Sequence, residues 1–151
     1  MHKYNKLKNR NYIQSKVGYI GKIVKQDKPF IKSTKCINIK EMFDKTDSTG
    51  ACIIDENNYP IGLIMKNSLN LYDNAIFTNQ TVTSVMDKKP LIVDYYTDIT
   101  EVSNAAMCRN TENAYDYIIV TKNQKYYGVV TIRSLLHYTT MLQSNDWNGK
   151  V

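Results

Sequence analysis

Apolar positions along the chain follow two spacings, and the two alternate. CINIKEMFDKT (36–46) places Ile39, Met42 and Phe43 three and four residues apart, which predicts a helix. DSTG (47–50) breaks it, and ACIID (51–55) is a short β-branched run of the kind that forms a buried strand. ENNYP (56–60) reads as a tight turn and IGLIM (61–65) as the returning strand. KNSLNLYDNAIF (66–77) then predicts a helix with Leu69, Tyr72, Ala75 and Ile76 on one face. Ahead of these, VGYIGKIV (17–24) has a short apolar pattern suited to docking on the main body. DKP (27–29) is a turn and FIKS (30–33) a short strand.

The order then starts again. TVTSVMDKKP (81–90) predicts a helical turn and a stop, and LIVD (91–94) a short strand. DITEVSNAAMCR (98–109) predicts an amphipathic helix with Ile99, Val102 and Ala106 inward. Thr97 or Asp98 is placed to cap it, with Glu101 completing a capping-box pattern after Asp98. NTENAYD (110–116) is a loop, YIIVT (117–121) a buried strand, KNQK (122–125) a turn and YYGVVT (126–131) the return. IRSLLHYTTML (132–142) is a helix. Gly62 and Gly128 are 66 residues apart, Ile53 and Ile118 are 65 apart, and Phe30 and Leu91 are 61 apart. This is an internal duplication with a loop insertion before the second central strand. Neither half could bury its apolar face alone, so the two sheets are expected to pack on each other. The expected organisation is a basic linker over 1–17, one repeat over 18–80, a second over 81–142 and a polar tail over 143–151.

Composition changes this picture little. The 151 residues are 42% hydrophobic, ordinary for a folded chain. The net charge of +6 is unevenly spread: residues 1–35 carry +9 and the remainder −3. The basic excess is therefore a leader, and no basic stripe with interleaved aromatics is visible on the folded part, so nucleic acid is not an expected partner. No membrane span and no secretory signal are visible, which implies an intracellular, cytoplasmic chain. Cys36, Cys52 and Cys108 are odd in number and widely spaced, and are expected to be reduced and buried. His2 and His137 lack metal-ligand spacing. No nucleophile–base pair or paired-acid motif is apparent, so an enzyme is not expected, and neither a metal nor a required cofactor.

The two units, FIKSTKCINIKEMF…ACIIDENNYPIGLIMKNSL and LIVDYYTDITEVSNAAM…DYIIVTKNQKYYGVVTIRSLL, resemble a tandem CBS-domain pair, or Bateman module. The resemblance spans about residues 18–142. Segments such as YDYIIVTKNQKYYGVVTIRSLL are most similar to the pairs attached to GGDEF domains of bacterial cyclic-di-GMP signalling proteins. The fold implied is α/β (α+β): two repeats, each a small three-stranded sheet with two helices, packed sheet to sheet about a pseudo-two-fold axis.

The resemblance also implies a ligand site. The family pattern after the third strand is Gly-apolar-apolar-Thr/Ser-x-x-Asp. Its Gly lets the backbone approach a ligand, its hydroxyl meets phosphate at a helix start, and its Asp holds ribose hydroxyls. The second repeat keeps Gly128 and Thr131 but has Ser134 in place of the Asp, with Arg133 beside it for a phosphate. The first keeps Gly62 alone, with Met65 and Ser68 at the other two positions. The implied site is the second one, lined by Ile92, Val93, Asp94, Tyr117, Ile119, Thr131, Arg133 and Ser134, with Tyr117 placed to stack on a purine. The implied function is non-catalytic regulation by an adenosine-containing ligand such as AMP, ADP, ATP or S-adenosylmethionine. Implied partners are a second copy, paired through the helices, and an attached or separate GGDEF/EAL-type domain. The rival is a structural dimerisation module with decayed clefts, favoured by Met65, Ser68 and Ser134.

Overall fold

The structure is a computed structural model and describes residues 18–71 and 79–149, with side chains to Met141. The expected linker over 1–17 and the Tyr72, Ala75 and Ile76 face of the 66–77 helix lie outside the described residues.

Each half of the chain forms one three-stranded sheet. In the first, β1 (Phe30–Ile31) runs parallel to β2 (Gly50–Ile54), and β3 (Pro60–Met65) returns antiparallel on the other side of β2. The crossover is α1 (Cys36–Lys45), and α2 (Lys66–Asn70) follows β3. In the second, β4 (Ile92–Asp94), α3 (Ile99–Met107), β5 (Ile118–Lys122), β6 (Lys125–Val130) and α4 (Ile132–Gly149) repeat the same order and pairing. Asp98 is the N-cap of α3, its carboxylate accepting the Thr100 N–H at 3.2 Å, with Glu101 in the first turn. The β5–β6 turn holds Asn123 at φ 54° and Gln124 at φ 69°, the two positive angles that a tight two-residue hairpin requires.

Three layers of core follow. One joins Ile39, Phe43, Ile53 and Ile64 beneath the helices of the first unit. Another joins Ile99, Val102, Ile118, Val120 and Val130 in the second. The third lies between the sheets and unites Cys52 and Leu63 with Tyr117, Ile119 and Val129. This is the sheet-to-sheet packing expected of two half-cores.

The lead-in segments are exchanged between the units. A 3-10 turn, Ile20–Ile23, places Ile20 at 0% exposure in the core of the second unit, with Ile23 and Val24 beside it. The 3-10 turn Val82–Ser84 places Val82 at 0% exposure in the core of the first, with Val85 and Met86. The hydrogen bonds match. Ile20 N–H donates to Thr97 C=O at 2.8 Å, and Val82 N–H donates to Thr34 C=O at 2.8 Å. Lys25 and Val129 exchange a pair of backbone bonds, as do Asp87 and Leu63. The apolar pattern of 17–24 does dock, on the unit distant in sequence.

Three expectations change. Ile53 pairs with Gly62 and Val120 with Gly128, so the counterpart of Ile53 is Val120, two residues beyond Ile118. Matching apolar dipeptides by eye misses this slip because both runs are uniformly β-branched. Helix α4 continues to Gly149, beyond 142, where a polar tail was expected. The strand glycines face the lead-in segments. A Cβ at Gly62 would fall inside the Met86 side chain, and one at Gly128 would meet Val24 and lie 2.7 Å from the Lys25 carbonyl oxygen. Each glycine admits the exchanged lead-in of the other half. Among the described residues no helix is long and apolar enough to cross a membrane.

Candidate ligand cleft between the units

The residues expected to form the site fall into four places. Ile92 pairs with Ile119 on the sheet face turned toward the other unit; it is half-exposed and Ile119 is buried. Val93 pairs with Val120 and packs into the helix-side core on the opposite face. The Asp94 carboxylate closes a turn by accepting the Tyr96 N–H at 2.9 Å. Ile92, Val93 and Asp94 share a groove of about 460 Å³ with Thr97, Glu101 and Ala105, between the edge strand and α3.

Tyr117 lies 3% exposed in the inter-sheet core. Its hydroxyl oxygen accepts the Thr49 N–H at 2.9 Å, and its ring covers the place a Gly50 Cβ would take. The ring therefore fills the space between the units, and its polar tip pins the loop before β2. Thr131 and Ser134 stand at the start of α4. Thr131 Oγ1 accepts the Ser134 N–H at 3.0 Å and bonds the Ser134 hydroxyl at 3.0 Å, so Thr131 caps the helix. Arg133 is exposed beside them.

A cavity of about 360 Å³ opens elsewhere between the units. One wall is Leu63 on β3 of the first unit and Asp87 paired to it. The other is Lys89 to Leu91, leading into β4, and the 108–116 loop of the second unit. Arg109 shapes that loop: its Nε donates to Ala106 C=O at 3.2 Å, and its Nη2 to Ala114 C=O at 3.2 Å and Asp116 C=O at 3.1 Å. Burial raises the Asp116 carboxyl above its ordinary value, the Arg109 guanidinium pulls it back, and the Asp87 carboxylate pushes it up again. The cavity thus presents two carboxylates and two cations around an apolar floor. Carboxylates are bidentate acceptors for paired hydroxyls, and guanidinium and ammonium groups suit phosphate. Among the described residues no group of three or more His, Cys, Asp or Glu is placed to hold a metal ion.

Sequence reasoning missed Asp87, Lys89, Arg109 and Asp116. They belong to no local motif and meet only because the lead-in crosses to the other unit. The insertion before β5 was the available signal, since it supplies the loop that carries Arg109 and Asp116.

Residues 82–140 match the family model described as CBS domain. A solved structure of CBSX2 in complex with AMP shares the fold at a TM-score of 0.69 and 18% identity, over 83% of this chain and 98% of that one. The fold is that of a CBS-domain pair. The CBS domains of a transcriptional regulator from Streptococcus pneumoniae give a TM-score of 0.66 at 18% identity, over 79% of this chain and 97% of that one. A CBS-domain pair/ACT-domain protein from Thermotoga maritima gives 0.65 at 17%, over 82% and 98%. No curated protein sequence matches the chain. The family model falls on the second unit of the pair. The first has the same strand order, pairing and lead-in bonds.

Proposed function

We propose that this CBS pair is a non-catalytic regulatory module that binds an adenosine-containing ligand in the cavity between Leu63 and Asp116. The observation that carries the reading is that cavity. It lies between two units that share one core, it reaches the size range of small-molecule sites, and its walls come from both units. The carboxylates of Asp87 and Asp116 suit the ribose hydroxyls, and Lys89 and Arg109 suit a phosphate. The AMP complex of a protein with the same fold supports AMP as the first ligand to try, with ADP, ATP and S-adenosylmethionine beside it. Because the ligand would touch both units, it favours whichever packing of the two fits it better, and regulation is that shift in population.

Similarity to pairs beside GGDEF domains supports a cyclic-di-GMP signalling domain as the regulated partner, attached or separate. The exposed Leu136 and Met141 on α4 and Met107 at the end of α3 support pairing of two copies through helices. The competing reading, a dimerisation module with decayed clefts, is favoured by the Thr131–Ser134 bond, which engages both hydroxyls with each other.

Thermal-shift and calorimetric titration against the four nucleotides separates the readings. The regulatory reading predicts a saturating stabilisation by at least one of them. Asp116→Ala then weakens binding about tenfold or more, the loss of a charge-assisted hydrogen-bond pair. A folded chain that responds to none supports the dimerisation module.

A further inference from the structure

The two clefts of the pair are related by the pseudo-two-fold axis, yet their equivalent positions carry different side chains. Cys52 pairs with Leu63, and Leu63 with Asp87; Ile119 pairs with Val129, and Val129 with Lys25. Lys25 therefore stands where Asp87 stands in the other half, and Asp27 where Lys89 stands. Around Leu63 these positions border the open cavity, where Lys89 N–H donates to Asp87 Oδ1 at 2.9 Å. Around Val129 their side chains pair with each other and with Ser48. The Lys25 ammonium lies 3.5 Å from the Asp27 carboxylate and donates to Ser48 Oγ at 3.3 Å. Ser48 Oγ donates to Asp27 Oδ2 at 3.1 Å, and the Tyr126 hydroxyl donates to the Asp27 carbonyl at 2.6 Å. Behind this ring the Tyr117 hydroxyl holds Thr49.

We infer that Lys25, Asp27 and Ser48 form a built-in latch across the first unit's cleft, at the sheet end where Met65 closes β3, so that each chain takes one ligand, beside Leu63. The inference rests on the adenosine-ligand reading for its stoichiometry, but the latch has consequences without any ligand. Its parts come from the lead-in and from the loop before β2, and Lys25 is fixed to β6 by backbone bonds in both directions. A phosphate entering this cleft would compete with Asp27 for the ammonium. It would also strip the partners from Ser48, which is 9% exposed, and leaving a buried hydroxyl unpaired opposes that exchange. The chain's own carboxylate thus holds the place that a ligand's anion would take.

Cys52 lies in the core behind the latch at 1% exposure, its thiol pushed up to about 12 by burial, and Tyr126 packs against the same cluster. Its reaction with a thiol-specific disulfide reagent, in a Cys36→Ala/Cys108→Ser chain, reports opening of this cleft. Asp27→Asn with Ser48→Ala is expected to speed Cys52 labelling about tenfold or more. Val102→Ala, a core truncation in the second unit, controls for general loss of stability and should not match that gain. Equal labelling in the latch variant and its parent, or equal acceleration by Val102→Ala, overturns the latch. Calorimetry of the otherwise unmodified chain with AMP should give one site, rising to two in Asp27→Asn/Ser48→Ala. Two sites in the parent overturn the latch and leave the ligand reading standing. No binding by the parent defeats the ligand reading, and the labelling rates then decide the latch alone.

Discussion

Asp116 carries a charge that the fold opposes. Its carboxyl is raised by burial first and by Asp87 as well, with Arg109 only partly compensating. A group whose folded value lies above its unfolded value binds protons more readily when folded, so stability falls as pH rises through that interval and stays lower above it. Asp116→Asn should therefore be more stable than the parent at neutral pH, with the difference shrinking as the solution is acidified into the range where Asp116 is protonated. Denaturant titrations of both chains across that range check this. A variant less stable than its parent at neutral pH would mean that Arg109 outweighs the burial. At this scale the sequence was informative about Asp98, whose helix-capping role depends on neighbours one turn away. It was silent about Asp116, whose partners Asp87 and Arg109 depend on a crossing that no local pattern records. Tyr117 was legible as a residue of the cleft, but its role is to fill that space and hold Thr49.

Among the elements, the lead-in segments decide how the halves are joined. Each is a single 3-10 turn flanked by two bridged residues, too short to stand alone and stabilised by burying Ile20 or Val82 completely. Gly128 is the point of closest approach, since a Cβ there meets Val24 and the Lys25 carbonyl. Gly128→Ala must push the lead-in off β6, and should cost about 1–3 kcal/mol, the usual price of overpacking a core. Urea unfolding measures it, and increased protease cleavage ahead of Phe30 would show that the lead-in is what yields. A loss below the resolution of the measurement would mean that Val24 moves aside freely. The helices and strands themselves were legible because their apolar spacings differ. The partner of each lead-in was not, because three or four residues with one buried β-branched side chain carry no record of which sheet they cover. The extension of α4 to Gly149 was hidden by the polar composition of residues 143–149.

For the whole molecule, duplication supplied a pseudo-symmetric pair, and substitution at equivalent positions made it asymmetric. The repeat was legible in the spacing of Gly62 and Gly128, and it correctly implied two sheets sharing a core. What spacing could not give was the state of each cleft. Lys25 and Asp87, or Asp27 and Lys89, become equivalent only through backbone pairing across units, and their charges are reversed between the halves. The Thr131 motif and the open cavity lie at the same end of the second sheet, while the Lys25–Asp27–Ser48 ring lies at the corresponding end of the first. The central claim is that this pair of units holds an adenosine ligand beside Leu63. A crystal structure of the chain grown with saturating AMP tests it most directly. The account predicts one AMP per chain between Leu63 and the 108–116 loop, its ribose against Asp87 or Asp116. AMP seated beside Ser48 with the Lys25–Asp27 pair broken, or an empty cavity beside Leu63, would contradict it.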